Sequence, residues 1–579
     1  MNGIMVACGS YLRKRICRWR IYNVSTTPGC GVSTTPGCGN STNPGRGILV
    51  PLWLAILFLS ASCGGDGRLE RLHPEENVLR IAVPSDPRSL DPAIAYDVVT
   101  WPLVRTLFHG LIDYDDDLNL VPWHARSWTI SEDGRTITFK LRQDIRFSNG
   151  RPITSEDFAY SLQRILNPAV KSPGQGFYRN IAGARGFQDG SADRVSGLRT
   201  PDLETLEIEL VQPDLPFLYC IAMPFAYAVP REEVERHGDE FGRYPVGSGP
   251  FTLARWQRGT GLRLEKNPGY YRADDIRLEA IDLMVGGDET LHMMMFERGE
   301  LDIASVTSTG IPDADFIRVM NDPVLSKRVA HQPLNAIQYL SMNTELPPFD
   351  NVNVRRAVNH AIDRERIVGL ISDRGIPARG VLPPGMPGFN EALTGYDHDP
   401  EKARTLLEEA GFTEGFTTEL MVTAQSGIDS KIGQAVQQDL AEVGITVEIR
   451  PVTGPTRIEA TGRRGAVPFA TFGWYQDYPD PSNFLDVLLN GNRITEVHST
   501  NVAFYDNERV NALLNEASSS TDQGHRLALY QEAERLIVDD APWVFLYYPQ
   551  MYLLRQPWLK GLKLNPVWPI RYELMWIEP

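Results

Sequence analysis

The sequence predicts a mixed α/β fold, because segments with the pattern of β-strands alternate with segments that have helical spacing. Strands are expected over residues 78–83 (VLRIAV) and 445–449 (ITVEI). Helices are expected where apolar residues recur at helical spacing or where proline opens and glycine closes a segment: 98–108, 352–363, 400–411 and 432–442. This alternation indicates layers of sheet and helix.

Residues 128–158 predict a hairpin, a turn and a capped helix. Asp133-Gly134 lies between two runs of alternating apolar residues, as in a hairpin turn. Asn149-Gly150 predicts a second turn. Thr154, followed three residues later by Asp157, is expected to open a helix in the manner of a capping box. Locally, this segment is ordinary α/β structure.

The composition is that of a large soluble protein with an acidic body. The chain has 579 residues, room for two to four domains, and a formal net charge of −16. The first 62 residues carry six Lys/Arg and no Asp/Glu. Such an acidic body argues against nucleic acid or an anionic membrane surface as a partner, and it is typical of exported proteins.

Cysteines are concentrated at the N-terminus, where five of the six lie within the first 63 residues. Cys220 alone lies in the body, so no internal disulfide framework is available there. It stands in an apolar run over 216–223. We expect it to be a buried small hydrophobe rather than a reactive nucleophile.

Residues 46–62 are expected to be a signal peptide. An apolar run of 11 residues, 49–59, follows Arg46 and is too short to span a bilayer. The next residues, Ser-Ala-Ser-Cys63, resemble a bacterial lipobox, with serine where leucine is usual. Processing would make Cys63 the lipid-anchored first residue, followed by a flexible tether over 63–75. The alternative is cleavage without lipid.

Residues 1–45 are expected to be disordered and to be a non-native upstream extension, translated from too early a start. The octapeptide VSTTPGCG occurs twice in succession there. A repeat of this composition cannot bury a core. Its two cysteines, without a histidine in the segment, make a weak metal site.

Five segments in order along the body resemble the solute-binding proteins of ABC importers, family 5, whose best-known members bind oligopeptides and dipeptides. The resemblance runs from about residue 79 to residue 572 and is carried by 128–158, 245–251, 256 with 267–271, 349–364 and 473–481. It implies a periplasmic-binding-protein type II fold, in which two lobes enclose a ligand cleft and a family-specific extra domain is added. The implied limits are 76–109, 244–333 and 546–579 for lobe I, 110–243 for the extra domain, and 334–545 for lobe II.

The resemblance also implies a role for Asp477. In peptide-binding relatives, the acidic residue at this position of the motif pairs with the ligand's α-ammonium. A carboxylate in a water-excluded cleft makes a charge-assisted bond to such a group. The alternative is that Asp477 serves the turn in 477–481, which is rich in turn formers. Asp480 is the more natural turn residue.

Aromatic residues beside Asp477 are candidates for flat apolar contact with the ligand. They are Trp474, Tyr475 and Phe472, with core packing as the alternative for each. Tyr270 and Tyr271 lie where the resemblance implies cleft-facing aromatics, and burial is an equal alternative.

The partner of the ligand's carboxylate is open. Oligopeptide binders carry an arginine six residues before the aspartate, where this chain has Thr471. Arg463 and Arg464 lie upstream and could meet a carboxylate, or they could simply be solvated. His292 with the three methionines that follow is expected to be core rather than a metal site.

The sequence therefore predicts an extracytoplasmic lipoprotein, a monomer, that captures short peptides by lobe closure and delivers them to ABC permease subunits. ATP hydrolysis belongs to a separate ATPase subunit, so no cofactor and no metal is expected. Other ligands of the fold stay open: a metal complex, haem, glutathione or an oligosaccharide. A solute sensor is a further alternative. A hydrolase is disfavoured, because the body lacks a nucleophile elbow, a His-Glu-x-x-His motif and a P-loop.

Overall fold

The structure is a computed structural model that describes residues 76–97, 99–307, 310–424 and 426–578. The predicted upstream extension, the signal peptide, Cys63 and the tether all lie outside the described residues.

The described residues form strands and helices in alternation. The strands are β1 (Val78–Val83), β2 (Ile112–Tyr114), β3 (Leu120–Pro122), β4 (Ala125–Ile130), β5 (Thr136–Leu141), β6 (Leu198–Asp202), β7 (Thr205–Glu209), β8 (Phe251–Gln257), β9 (Gly261–Lys266), β10 (Ala280–Val285), β11 (Val329–Pro333), β12 (Ala336–Met342), β13 (Gly375–Pro377), β14 (Phe416–Thr423), β15 (Ile445–Val452), β16 (Phe469–Tyr475), β17 (Trp543–Leu554), β18 (Leu559–Lys560) and β19 (Trp576–Ile577).

The α-helices are α1 (Thr100–Leu107), α2 (Ser155–Leu166), α3 (Ala184–Gln188), α4 (Phe217–Ala222), α5 (Arg231–His237), α6 (Glu289–Glu297), α7 (Asp313–Asn321), α8 (Val352–Ala361), α9 (Arg364–Leu370), α10 (Pro400–Glu409), α11 (Gly427–Glu442), α12 (Gly454–Thr461), α13 (Ser482–Leu489), α14 (Glu508–Ser519) and α15 (Gln523–Asp540). The mixed α/β fold predicted from the sequence is confirmed.

Three sheets carry the architecture. The first is a four-stranded sheet of order β1-β10-β9-β8, in which β1 and β10 are parallel. A second four-stranded sheet has the order β4-β5-β7-β6. The largest sheet has the order β11-β17-β12-β16-β14-β15, with β13 also paired to β17. Separate apolar cores pack against these sheets, so each sheet has its own hydrophobic support.

The predicted hairpin and capping box are confirmed. Strands β4 and β5 pair antiparallel around Gly134, whose φ of 70° is the left-handed conformation that such a turn favours. The second turn closes with a hydrogen bond from the Gly150 amide to the Phe147 carbonyl. Thr154 and Asp157 form the reciprocal capping box at the start of α2.

Two predicted helices differ in extent from the structure. The pattern over 352–363 predicts one helix, but α8 ends at Ala361 and the Asp363 side chain caps a new helix, α9, by accepting from the Arg366 amide. The short Asp363 side chain can accept from a backbone amide of the following turn, and this favours the start of a new helix over continuation of α8. Helix α11 begins at Gly427, five residues before the predicted start, because Ser426 caps it.

Strand β17 is 12 residues long and connects parts of the chain that the sequence analysis assigns to different lobes. Its C-terminal half pairs with β11 and its N-terminal half with β12, while β13 pairs near the middle. The domain limits given above remain a prediction.

The C-terminal segment returns to the first helix of the body. Arg105 of α1 forms ion pairs with Asp113 and, at 2.5 Å, with Glu573, which follows it by 468 residues.

Cys220 is buried in the core beneath the second sheet, as predicted.

Candidate functional site

A cavity of about 300 Å³ lies where four distant segments meet: 96–102, 334–335, 474–477 and 566–569. Its walls are mostly apolar and include the aromatic residues Trp101, Trp474, Tyr475 and Trp568. We call it the aromatic pocket. Segments assigned to lobe I and to lobe II both contribute to it. A concave, apolar pocket with few polar groups is the usual form of a small-ligand site.

Asp477 is the buried charged group of this pocket. It is 8% exposed, and its Oδ1 accepts a 2.7 Å hydrogen bond from the Tyr96 hydroxyl. Asn483 Nδ2 donates to the other carboxylate oxygen at 3.3 Å. Among the described residues, no lysine, arginine or histidine forms an ion pair with Asp477. Burial raises the pKa of this carboxyl to about 6, because the charged form is poorly solvated there.

Asn483 lies in the first turn of α13 and holds two pocket residues at once. Its Oδ1 accepts from the Asp477 amide at 2.9 Å and from Trp474 Nε1 at 3.1 Å. The side chain is fully buried, so these bonds are shielded from water. Asn483 therefore fixes the indole and the carboxylate relative to each other without facing the pocket.

Tyr96 comes from the segment between β1 and α1. Its ring lies 5.5 Å from the rings of both Trp101 and Phe225. Although the residue is 43% exposed, its hydroxyl lies against Asp477, and burial with the neighbouring carboxylate raises the pKa of the phenol. The phenol therefore keeps its proton and acts as a donor to Asp477.

The structure brings three of the five predicted ligand residues together: Asp477, Trp474 and Tyr475 all line the aromatic pocket. Phe472 does not line it. The Phe472 ring stacks on Tyr339 at 5.8 Å and lies beneath the Arg457 guanidinium at 4.4 Å.

Arg463 is also outside this pocket. It is exposed and precedes β16, whereas Asp477 follows that strand, so a seven-residue strand of roughly 20 Å separates them. Its neighbour Arg464 forms ion pairs with Glu345 and Glu496. The roles of these residues toward a ligand remain predictions.

Asp480 combines a turn with a buried ion pair. Its Oδ1 accepts from the Ser482 amide at 3.0 Å, which is turn geometry. The same oxygen accepts from Arg526 Nη2 at 2.6 Å, and both side chains are almost fully buried. Arg526 belongs to α15, so this pair anchors the loop that carries Asp477 to the longest helix of the body.

Sequence reasoning missed Tyr96, Trp101, Trp568 and Asn483. Asn483 stands only six residues after Asp477, just beyond the 473–481 segment, so the same local signal could have suggested it. Tyr96 and Trp101 share one segment and Trp568 lies in another, both far from Asp477 in the chain, and no local pattern distinguishes them. Tyr270 is buried, with its ring 5.2 Å from the His109 ring, and lies outside the aromatic pocket.

His292 and Met293 both contact neighbouring residues of the fold. His292 Nε2 lies 2.8 Å from the Gly286 carbonyl, and Met293 packs in a core beside Phe296. No cluster of three or more His, Cys, Asp or Glu among the described residues is placed to hold a metal. None of the described helices is long and apolar enough to cross a membrane.

Known proteins resemble this chain in sequence and in fold. The glutathione-binding protein GsiB of Escherichia coli (strain K12) is 29% identical over 496 residues, which cover 84% of this chain and 92% of the relative. The solved structure of clavulanic acid biosynthesis oligopeptide binding protein 2 is 28% identical with a TM-score of 0.80, covering 87% of this chain and 96% of that one. The unliganded open form of the periplasmic murein tripeptide-binding protein MppA is 27% identical with a TM-score of 0.74, covering 87% and 98%.

These structural neighbours have the type II periplasmic-binding-protein fold, which this chain shares, as the sequence analysis predicted. The family model for bacterial extracellular solute-binding proteins, family 5 (middle), matches residues 119–496, more than half of the chain. Proteins of this family work with ABC permeases. The chain belongs to family 5 of the bacterial extracellular solute-binding proteins.

Proposed function

We propose that the protein captures short peptides with a free α-ammonium group and delivers them to an ABC importer. The observation that carries this proposal is Asp477, a buried carboxylate that faces an aromatic pocket and has no cationic partner among the described residues. A buried charge without a partner is costly. A ligand cation would supply that partner.

The chemistry of the pocket favours an ammonium group attached to apolar matter. The Asp477 carboxylate already accepts from Tyr96 and Asn483, and each oxygen has a further lone pair for a ligand donor. The indole and phenol rings around it provide flat surface for a side chain or a peptide unit. A primary ammonium would satisfy the charge, and the rings would exclude water from the bond.

The named relatives support a peptide-like ligand. One is called an oligopeptide-binding protein, one a murein tripeptide-binding protein, and one a glutathione-binding protein. Glutathione is a second candidate on this ground, since it is a tripeptide with a free α-ammonium. Both ligands would use the same charge at Asp477.

The mechanism we propose is closure of two lobes around the ligand. The aromatic pocket draws Tyr96 and Trp568 from segments assigned to lobe I and Asp477 from lobe II, so a bound ligand would contact both. A ligand with this property favours the closed form by its differential affinity. We propose further that the protein is monomeric, acts in the periplasm or at the outer cell surface, and is anchored by lipid at Cys63.

The proposal is tested by removing each partner of the ammonium bond. Equilibrium dialysis would measure retention of a random-sequence tripeptide pool and of the same pool after N-acetylation, by wild type and by Asp477→Asn. Losing one partner of a buried pair costs ~2–5 kcal/mol, so either change should weaken retention by at least about 30-fold. N-acetylation and Asp477→Asn together should weaken retention little more than either change alone, because both remove the same interaction.

Asp97→Asn is the matched control. Asp97 also lines the aromatic pocket, but its carboxylate accepts from the Val99 and Thr100 amides at the start of α1. This variant should retain the free pool nearly as well as wild type. Equal retention of both pools by wild type, or unchanged retention by Asp477→Asn, would refute the ammonium site. Equilibrium dialysis with glutathione alone tests the second candidate, which is supported if wild type retains glutathione.

A further inference from the structure

We propose that the predicted extra domain tunes ligand affinity, because two of its phenylalanines hold both members of the Tyr96–Asp477 pair in place. This inference rests on the proposed function and adds to it positioning residues that lie outside the aromatic pocket. They are Phe177 and Phe225, and neither lines the pocket. Both lie within 110–243, the segment assigned to the extra domain.

Tyr478 inserts the loop that carries Asp477 into the extra domain. Asp477 lines the aromatic pocket, whereas the next residue, Tyr478, is buried in the apolar core beneath the second sheet. Among the described residues of 334–545, Tyr478 is the only one in this core. Its ring lies 6.3 Å from the Phe177 ring and 6.4 Å from the Tyr219 ring. The position of the loop therefore depends on residues of the extra domain.

Tyr96 is held by the same group of rings. Its ring lies 5.5 Å from the Phe225 ring. Phe225 is buried and stacks on Phe177 with ring centroids 6.1 Å apart and an angle of 28° between the planes. Aromatic pairs at such separations attract each other in preferred geometries. Phe225 and Phe177 thus connect Tyr96 to Tyr478 through the extra domain.

These contacts form a closed circuit, which we call the aromatic circuit. It runs from Asp477 through the hydrogen bond to Tyr96, then through Phe225 and Phe177 to Tyr478, the residue bonded to Asp477. Each packed ring limits the movement of the next. A site whose groups are already ordered loses less conformational freedom on binding, so the circuit should increase affinity without touching the ligand.

Phe177 is the member of the circuit best suited to a test. It is half-buried and contacts both Phe225 and Tyr478, so its truncation removes two ring contacts without creating an enclosed cavity. Phe225 is less suitable because it is seated in the core against Gly174, where an added Cβ would lie 2.5 Å from Phe225 Cγ. A change at Phe225 would disturb the core itself.

Phe187→Ala is the matched control for Phe177→Ala. Phe187, in α3, is also half-buried and packs against the same core, but it is not a member of the circuit. Both variants should lower the melting temperature to a similar extent. In equilibrium dialysis with random-sequence tripeptides, affinity should fall about fivefold for Phe177→Ala and stay at the wild-type value for Phe187→Ala.

A second measurement follows the circuit without a ligand. Carboxyl ¹³C NMR would record the titration of Asp477, assigned by the loss of its signal in Asp477→Asn. The hydrogen bond from Tyr96 lowers the pKa of this carboxyl, so a loosened phenol should move the midpoint upward in Phe177→Ala and not in Phe187→Ala. Tyr478→Ala opens the same contact from its other side and should give the same shift. The double variant Phe177→Ala/Tyr478→Ala should shift the midpoint little further.

The outcomes separate this proposal from the proposed function. If Phe177→Ala binds and titrates like wild type, or if Phe187→Ala changes in the same way, Phe177 is only a core residue and the proposal is refuted. If wild type retains no tripeptide, the peptide function fails, and an unchanged midpoint in Phe177→Ala would then refute the circuit as well. An upward shift confined to the circuit variants supports it.

Discussion

Tyr96 and Asp477 lie 381 residues apart in the sequence and are joined by a hydrogen bond of 2.7 Å from the phenol to the carboxylate. The bond connects the segment after β1 to the loop after β16, which are two walls of the aromatic pocket. It places the positive end of a hydroxyl dipole on a buried negative charge. The carboxylate still lacks a full counter-charge, and its titration should therefore report on ligand binding.

Affinity for an ammonium ligand should fall in acid. The pKa of Asp477 is raised to about 6, and only the ionised carboxylate attracts a cation. At pH 5 about one Asp477 in ten is ionised, so affinity should be about tenfold lower than at pH 8. Calorimetry across this range with a bound tripeptide measures the effect.

Two variants test the assignment of that titration. Asp477→Asn should remove the pH dependence along with most of the affinity. Tyr96→Phe should move the midpoint upward, because the hydrogen bond from the phenol lowers the pKa of the carboxyl. A midpoint that stays in place in both variants would assign the titration to another group.

Asn483→Ala should weaken ligand binding although the residue does not line the aromatic pocket. The substitution leaves the Asp477 amide and the Trp474 indole without their acceptor, at a cost of about 2 kcal/mol in stability, and frees both side chains to move. Affinity for a tripeptide should fall about tenfold. Asn359→Ala is the control, since Asn359 is equally buried and bonds the Trp543 carbonyl. It should lower the melting temperature and leave affinity unchanged.

Breaking the pair between Asp480 and Arg526 should destabilise the protein strongly. Asp480→Asn would leave the buried guanidinium uncompensated, which costs about 3–5 kcal/mol in the free energy of unfolding. Arg535→Gln on the same helix, where Arg535 pairs with Glu532 at the surface, should change nothing measurable. Equal effects in denaturant titrations would contradict this distinction.

Two histidines should make the fold sensitive to acid. His109 and His124 are fully buried with ring centroids 5.7 Å apart, and within the described structure none of their ring nitrogens has a hydrogen-bond partner. Burial lowers the pKa of both, that of His124 to about 3. The unfolded chain binds protons below about pH 6.5 and the folded protein does not, so stability should fall as pH drops below 6.5, by up to about 1.4 kcal/mol per pH unit for each group.

The histidine assignment has its own test. His124→Phe removes one titrating group and keeps a planar ring beside Phe158 and Tyr271. Its unfolding free energy should depend less steeply on pH between 6 and 4. His331→Gln, at an exposed position in β11, should leave the slope as it is in wild type. If the His124 variant keeps the wild-type slope, groups other than His124 cause the acid sensitivity.

Features that depend on neighbours in the chain could be predicted from the sequence. The turn at Gly134 and the capping box of Thr154 and Asp157 are local, because a few adjacent residues satisfy one another's backbone groups. The break between α8 and α9 could not be predicted from apolar spacing alone. The apolar spacing continues from α8 into α9. The break between them occurs because the Asp363 side chain caps the start of α9.

The site was predictable only in part, for the same reason. Asp477, Trp474 and Tyr475 belong to one segment, so a resemblance in that segment identifies all three. The rest of the pocket depends on contacts across the fold: Tyr96 approaches Asp477 only once two sheets are in place, and Trp568 lies 6.4 Å from Trp101. Phe472 shares a face of β16 with Trp474 but lies two residues further from the end of the strand that meets the pocket, where its ring contacts Tyr339 instead.

The C-terminal segment has a consequence for the order of events in synthesis. Residues 566–569 form one wall of the aromatic pocket, and Glu573 pairs with Arg105 from the first helix of the body. While this segment has not yet been synthesised, the growing chain lacks one wall of the aromatic pocket, even if the rest of the body has folded. Capture of a ligand therefore requires the segment from Pro566 to Glu573, and a chain truncated before Pro566 should not bind a ligand.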